Sequence, residues 1–433
     1  MDGKSARPTI GVRCKLVNVV TPLREGERFI LRQKNIPKRT IRPVGMPTYG
    51  FCRAFRKHAA QSTPGSLRVM VGQAIVKLSS DFPRVSFEAL RDFIARALAA
   101  QGLAAEDARR VGELMAEADL QGSDGHGVIR LPQYSKRIQA GGINVRPNIR
   151  VIRDKPAMAV IDGDNGMGHL VVSQAVDLAM AKARECGVGW VSVRHSNHAG
   201  PASLYARKPL QHQMLGLYFA VGNANHLPPW GGTDMLLSTN PIAAAFPAAS
   251  EPPVVLDMAT TVAAYGKVKA KAKRGEPLPV GWMIDREGKP LTDAARANEG
   301  FLLPIGEHKG YGLALMVGLL AGTLGGAAMG REVIDFNADH QSVTNTGQAI
   351  LVIDLAAFGE PAAFMQSVDT LIRDIRGSQR LPGVERIWLP GEQSHERRKA
   401  WKDGGIPLAP ALFSELDPLA DTLKIARLPR KIG

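Results

Sequence analysis

The chain predicts an α/β fold that begins near Val85, and three observations carry that prediction. Apolar residues recur at Leu90, Phe93, Ile94, Ala97 and Leu98, which line one face of a helix. Short runs rich in β-branched and aromatic residues, such as Gly189-Trp190-Val191-Ser192-Val193, alternate with stretches of helical period. The charge divides sharply: residues 1–84 hold 17 Lys and Arg against 4 Asp and Glu, while the remaining 38 basic and 36 acidic residues nearly cancel.

That division bounds the function classes. A net charge of +15 over 433 residues would suggest a nucleic-acid partner if it were spread over the body, but it belongs to an arm. The arm lacks regular aromatic interleaving and a clear amphipathic helix, so neither a nucleic-acid tail nor a transit segment is expected. Residues 1–84 read as a basic appendage, disordered or the product of an upstream start. Cys14, Cys52 and Cys186 show no C-x-x-C spacing, which fits a reducing, cytoplasmic setting.

In the body, Ser86 is a plausible N-cap for the first helix, and a second helix runs from about Ala105 through Val111, Leu114, Met115 and Ala118. A polar cluster follows, Ser123-Asp124-Gly125-His126-Gly127-Val128-Ile129-Arg130-Leu131-Pro132-Gln133-Tyr134. If Val128 to Tyr134 begins as a helical turn, His126, Arg130 and Tyr134 share one face. An arginine fork grips a carboxylate in two places, while His and Tyr can address a neighbouring oxygen.

Ala157 to Asp162 reads as a strand, Val171 to Cys186 as a helix and Trp190 to Val193 as a buried strand. That strand ends in Arg194-His195-Ser196-Asn197-His198-Ala199-Gly200. Strand ends present side chains from rigid backbone, and histidine exchanges protons near neutrality. Leu215 to Val221 and Val254 to Leu256 read as further strands. No G-x-G-x-x-G opens a helix after a strand, and no G-x-x-x-x-G-K-[ST] occurs, so any nucleotide must be held otherwise. Glu307-His308-Lys309-Gly310-Tyr311-Gly312 offers glycine backbone and a cation at a helix start. Gly312 to Gly330 carries no charge over 19 residues, but six are glycine, so a buried helix and turn are expected and not a membrane span.

Seven ordered stretches together resemble the type-2 malate/L-lactate dehydrogenase family, whose members include ureidoglycolate and sulfolactate dehydrogenases and piperideine-2-carboxylate reductases. They are HGVIRLPQY (126–134), DGDNGMGHLV (162–171), VSVRHSNHAG (191–200), PPWGG (228–232), STNPIAAAFP (238–247), LDMATT (256–261) and LLPIGEHKGYGLAL (302–315). The resemblance implies an atypical, non-Rossmann NAD(P)-binding domain with a largely antiparallel sheet, and a discontinuous mixed α/β substrate domain. It places the substrate and dimerisation domain at 85–204 with 380–433, the cofactor domain at 205–379, and the chain in a homodimer.

Carried over residue by residue, His198 is the implied general acid/base, and His126, Arg130 and Tyr134 face a small 2-oxo or 2-hydroxy acid. Asn223, Asp257, Met258, Ala259 and Lys309 are the implied contacts to NAD or NADP, with NAD favoured. Gly125 departs from the family's common serine, and Asn223 from a hydroxyl residue. A rival reading makes His195 and His198 part of a metal-dependent hydrolase site, although no carboxylate pair accompanies them. No nucleic-acid or membrane partner is expected.

Overall fold

The computed structural model describes residues 82–123 and 125–430, so Cys14, Cys52 and residues 1–81 of the basic arm lie outside the described residues, while Pro83 and Arg84, expected in the arm, pair with the end of the body. Helix α1 (Phe87–Ala99) is capped by Ser86, whose hydroxyl accepts from Ala89 N at 3.2 Å. It buries Leu90, Phe93, Ile94, Ala97 and Leu98, the expected face. These residues form one core with α2 (Ala105–Leu120) and α3 (Leu131–Gln139), and with residues 406–428 from the far end of the chain. A two-residue strand pair, Arg84–Val85 with Ile406–Pro407, clamps the start of the body to its end.

The centre is a seven-stranded sheet built from β1 (Arg150–Lys155), β2 (Met158–Asp162), β3 (Val188–Ser196), β4 (Met214–Ala220), β5 (Ile242–Phe246), β6 (Val254–Met258) and β7 (Thr346–Asp354). Its spatial order is β1-β2-β3-β7-β4-β5-β6. Only the β2–β3 pairing is parallel; the others are antiparallel. That parallel step needs a crossover, supplied by α4 (Gly168–Cys186).

β7 takes the middle of the sheet although sequence analysis assigned no strand there. Its residues Ala349, Ile350 and Val352 are buried and Leu351 partly so, because both faces are covered. Ile350 and Val352 join α4 and the short α5 (Ser203–Ala206) on one face. Ala349 joins Phe219 and α7 (His308–Ala321), which follows α6 (Tyr265–Lys273) in the chain, on the other. Ile350 and Val352 each contribute about 1.5–3 kcal/mol by leaving water. Strands on both sides of residue 204 share this sheet.

The expectation that Gly312 to Gly330 is a buried helix and turn needs correction. α7 buries Gly310, Ala314, Val317, Gly318 and Ala321 but leaves Leu315, Met316 and Leu319 at 37%, 47% and 47% exposure. Its apolar residues run all round, so one apolar stripe faces outward. Among the described residues, no helix is long and apolar enough to cross a membrane.

Candidate active site

β3 runs longer than expected, to Ser196, and ends in two unusual steps. His195 holds a left-handed conformation (φ 48°), which L-residues rarely adopt without support. The support is Asn345, whose side-chain oxygen accepts from His195 N at 2.8 Å. The His195 ring turns onto Asp162 (Nδ1 to Oδ2, 3.0 Å), which also accepts from Arg194 Nε at 3.1 Å. His195 is therefore spent in an Arg194–Asp162–His195 cluster and does not join His198 in a metal site. Among the described residues there is no group of three His, Cys, Asp or Glu placed to hold a metal ion. The hydrolase reading has no support.

The backbone then delivers His198 to the core side of α3. Glycine is required here: a Cβ on Gly168, at the start of α4, would lie 2.1 Å from the Asn197 carbonyl oxygen. Tyr134, fully buried on α3, places its hydroxyl 2.5 Å from His198 Nδ1. His198 Nε2 lies 3.2 Å from His126 Nδ1, and the two rings stack with centroids 5.3 Å apart. Gly200 N–H also addresses His198 Nδ1, at 3.4 Å. Two donors on Nδ1 make it an acceptor, so the ring proton of neutral His198 sits on Nε2, toward His126.

The loop carrying His126 is held by a buried carboxylate. Asp119 accepts from Val128 N at 2.7 Å, and a Cβ on Gly127 would lie 2.1 Å from that carboxylate. Val128–Arg130 forms a 3-10 turn leading into α3, so the expected helical turn is present. Arg130, half-buried, donates from Nε to Gly125 O at 2.8 Å and from Nη1 to Asn337 Oδ1 at 3.3 Å. Its remaining nitrogen, Nη2, has no partner among the described residues.

Burial, with Arg130 nearby, holds His126 down to about 4 and His198 well below the ordinary imidazole range. Burial also raises the Tyr134 phenol, so that hydroxyl keeps its proton. At neutral pH the trio is uncharged and ready to accept one proton.

Three neighbours were missed in the sequence because they are distant in it or looked like core. Phe336 sets its ring 5.9 Å from both His198 and Tyr134. Arg137, wholly buried, stacks on Phe336 at 4.7 Å and donates to Ser342 O at 2.7 Å and Gly142 O at 3.0 Å, fixing that loop. His169 is a third buried imidazole, edge-on to Tyr134 at 5.7 Å. His169 lies within the stretch DGDNGMGHLV (162–171), whereas nothing in the local sequence marks Phe336 or Arg137.

The residues expected to meet a cofactor fall into two groups. Asn223 accepts from Phe336 N at 2.9 Å, which ties it to the histidine trio. β6 ends at Met258 with Ala259 just beyond it, and there Ile305 N donates to Thr260 O at 3.0 Å and brings up the loop before α7. Lys309, exposed, begins α7 beside this junction. Asp257 is not with them: it faces the α5 side of the sheet and accepts from Ser203 N at 2.8 Å.

This fold and this cluster define a class. The chain matches the malate/L-lactate dehydrogenase family model over residues 85–417 and belongs to that family. It is an oxidoreductase of the malate/L-lactate dehydrogenase type, working with a nicotinamide cofactor. It is 37% identical over 360 residues to the malate dehydrogenase of Pyrococcus horikoshii, covering 81% of this chain and 98% of that one. It is 36% identical over 322 residues to the L-sulfolactate dehydrogenase of Methanocaldococcus jannaschii, covering 74% and 92%. The solved structure of the Pyrococcus horikoshii malate dehydrogenase superposes with a TM-score of 0.74 at 36% identity, over 81% of this chain and 98% of that chain.

Proposed function

We propose that this chain interconverts a small 2-oxo acid, or a cyclic imine acid, and the corresponding 2-hydroxy or amino acid. The observation that carries the reading is the line Tyr134 hydroxyl, His198, His126, ending beside Arg130. Arg130 clamps the substrate carboxylate, His198 exchanges the proton, and the Nε2–H of His126 donates to the substrate.

In the reducing direction the histidine pair starts with one extra proton, favoured by the bound carboxylate's negative charge. His198 passes its Nε2 proton to the substrate oxygen, which leaves the pair with one proton fewer and no net charge. The pair returns to the neutral arrangement seen here. In the oxidising direction the same neutral pair takes the proton from the hydroxyl. Tyr134 holds the ring and its tautomer throughout, and Phe336 keeps water from one side.

The residues fit a nicotinamide dinucleotide, NAD or NADP with NAD favoured. A Cβ on Gly231, Gly306 or Gly312 would meet nothing within 4 Å, so backbone there is open to a ligand. Lys309 supplies a positive charge, and Trp230, at 50% exposure, supplies apolar surface. Asn223, Met258, Ala259 and Lys309 would hold the cofactor, with Asp257 acting from behind through Ser203. When bound, it supplies the hydride chemistry that the side chains cannot.

In this reading 205–379 serves the cofactor, while 85–204 with 380–433 serves substrate and dimer. The core shared by Val85 and residues 406–428 supports that discontinuity. The enzyme is taken as a cytoplasmic homodimer, with the exposed Leu315–Met316–Leu319 stripe as apolar surface to cover. Sedimentation as a monomer at micromolar concentration would remove that part. The chemistry is tested by pyruvate, oxaloacetate, sulfopyruvate, oxalurate and a cyclic imine acid, each with NADH and NADPH, followed at the nicotinamide absorbance. Turnover of at least one pair is expected, and inertness of all would contradict it.

A further inference from the structure

A chain of buried hydrogen bonds runs from the cofactor side to Ser196 and Asn197, the two residues before His198. Asn223 Nδ2 donates to Thr346 Oγ1 at 3.3 Å, and Thr346 Oγ1 donates to Thr344 Oγ1 at 3.1 Å. Thr344 Oγ1 in turn reaches Ser196 O at 2.9 Å and Asn197 Oδ1 at 3.2 Å. Gln348 Nε2 donates to Asn197 O at 3.0 Å, from the same strand. Thr344, Thr346, Gln348, Ser196 and Asn197 are all buried.

The donors point one way, each hydroxyl accepting from the cofactor side and donating toward the histidine. Aligned donors polarise one another and hold a sharper geometry than separate bonds. The local backbone is shaped for this. The β7–β3 register slips between Thr346 and Gln348, a bulge of the kind that re-aims side chains beside functional sites. Directly there, His195 and Asn345 both hold left-handed conformations, φ 48° and 43°, joined by the His195 N to Asn345 Oδ1 bond. Two such residues facing each other store strain that the surrounding bonds must overcome. Asn197 is anchored on its other side by Asn165 O at 3.0 Å and Gly166 O at 3.0 Å. Ser196 and Asn197, the residues just before His198, are therefore held from two directions.

We propose that Thr344 and Thr346 are positioning residues, whose hydroxyls set the place of His198 relative to Asn223. The inference rests on the proposed function, in which His198 exchanges the proton and Asn223 faces the cofactor. Removing a hydroxyl breaks the chain without changing side-chain volume, so the strand end carrying His198 relaxes. Tyr134 and His126 then no longer meet both His198 nitrogens together.

The test compares Thr344→Val and Thr346→Val with Thr344→Ser and Thr346→Ser in the full chain. Serine keeps the hydroxyl and valine keeps the shape. The first readout needs no substrate: the ring-nitrogen resonances of His198 in ¹⁵N-histidine-labelled protein, assigned by loss in His198→Gln. The valine variants should lose the single Nε2–H pattern, and the serine variants should retain it. The second readout is steady-state kinetics with the pair found active in wild type. The valine variants should lose roughly ten- to a hundredfold in kcat with KM for the acid little changed, because small misplacements near reacting atoms act on rate. Serine should restore most of it. Native His198 resonances in both valine variants overturn the proposal, whether or not any substrate is turned over. Resonances shifted equally by valine and serine also overturn it, since the hydroxyl would then not be what matters. An inert wild type with shifted valine spectra leaves the positioning role standing and removes the functional reading alone.

Discussion

His126 Nδ1 stands 3.2 Å from His198 Nε2, with the two rings 11° from parallel. At that spacing the pair shares one proton between facing nitrogens and titrates as a unit. Both rings are held below the ordinary imidazole range, so the resting pair is neutral at pH 7. In the reducing direction the pair needs an added proton, and kcat/KM should fall as pH rises. In the oxidising direction it must be neutral, and kcat/KM should fall only when pH drops toward about 4. Rate–pH profiles in both directions check this, and matching profiles would contradict it.

The same burial makes a stability prediction. His169, wholly buried, is held at about 3. The unfolded chain takes up that proton near its ordinary value of about 6.5. Between pH 6.5 and roughly 3 the unfolded state binds more protons, so stability present above 6.5 is lost as pH falls through that window. Carboxylates held near 2, such as Asp369, contribute mainly in the lower part of it. The melting temperature should therefore already fall between pH 6.5 and 4.5, and a flat curve there would show the buried histidine to be charged or solvated.

Arg130→Lys keeps the charge and loses the planar fork. Lysine's point charge still attracts a carboxylate but cannot grip both oxygens or reach Gly125 O and Asn337 together. KM for the acid should rise about tenfold or more, with kcat at saturation largely preserved. An unchanged KM would take Arg130 out of the clamp.

Much of this was legible in the sequence, and the reasons are local. The α1 face appeared as spacing, and the strand leading to His198 as a glycine-bounded β-branched run. His126, Arg130 and Tyr134 lay in one short stretch, although only Arg130 and Tyr134 are on helical backbone and His126 joins them through His198. What could not be read was pairing across distance. Phe336 and Asn337 approach the site from some 200 residues away, and Thr346 and Gln348 belong to a strand not recognised at all, with Thr344 just before it. His195 looked like a partner for His198 because they are three apart, but its left-handed backbone sends it to Asp162. The outward stripe of α7 also escaped, since a helix apolar all round gives no sign of which face is covered.

Tyr134→Phe removes the hydroxyl 2.5 Å from His198 Nδ1 and leaves the ring in the core. Without that donor the proton can sit on either nitrogen, and only part of the population is competent. A kcat loss of about tenfold is expected, with the melting temperature within a few degrees of wild type. Full kcat would mean the phenol does not orient His198.

Residues 1–81 lie outside the family match and hold most of the net charge. A chain starting at Phe82 should keep activity and melting temperature. One starting at Ser86 should melt lower, because Pro83 O accepts from Leu408 N at 3.0 Å and Arg84 Nη1 donates to Gly405 O at 2.9 Å. Equal melting of the two would show that the terminal clamp contributes nothing.

The most direct test is kcat of His198→Ala beside His126→Ala, with the active pair of acid and cofactor, and with cofactor affinity measured separately by nicotinamide fluorescence. General acid catalysis typically contributes about 100- to 10,000-fold. His198→Ala should lose kcat on that scale with cofactor affinity unchanged, while His126→Ala should raise KM for the acid and lose less in kcat. Near-normal kcat in His198→Ala, with turnover abolished in His126→Ala, would reverse the roles of the two histidines and contradict the account.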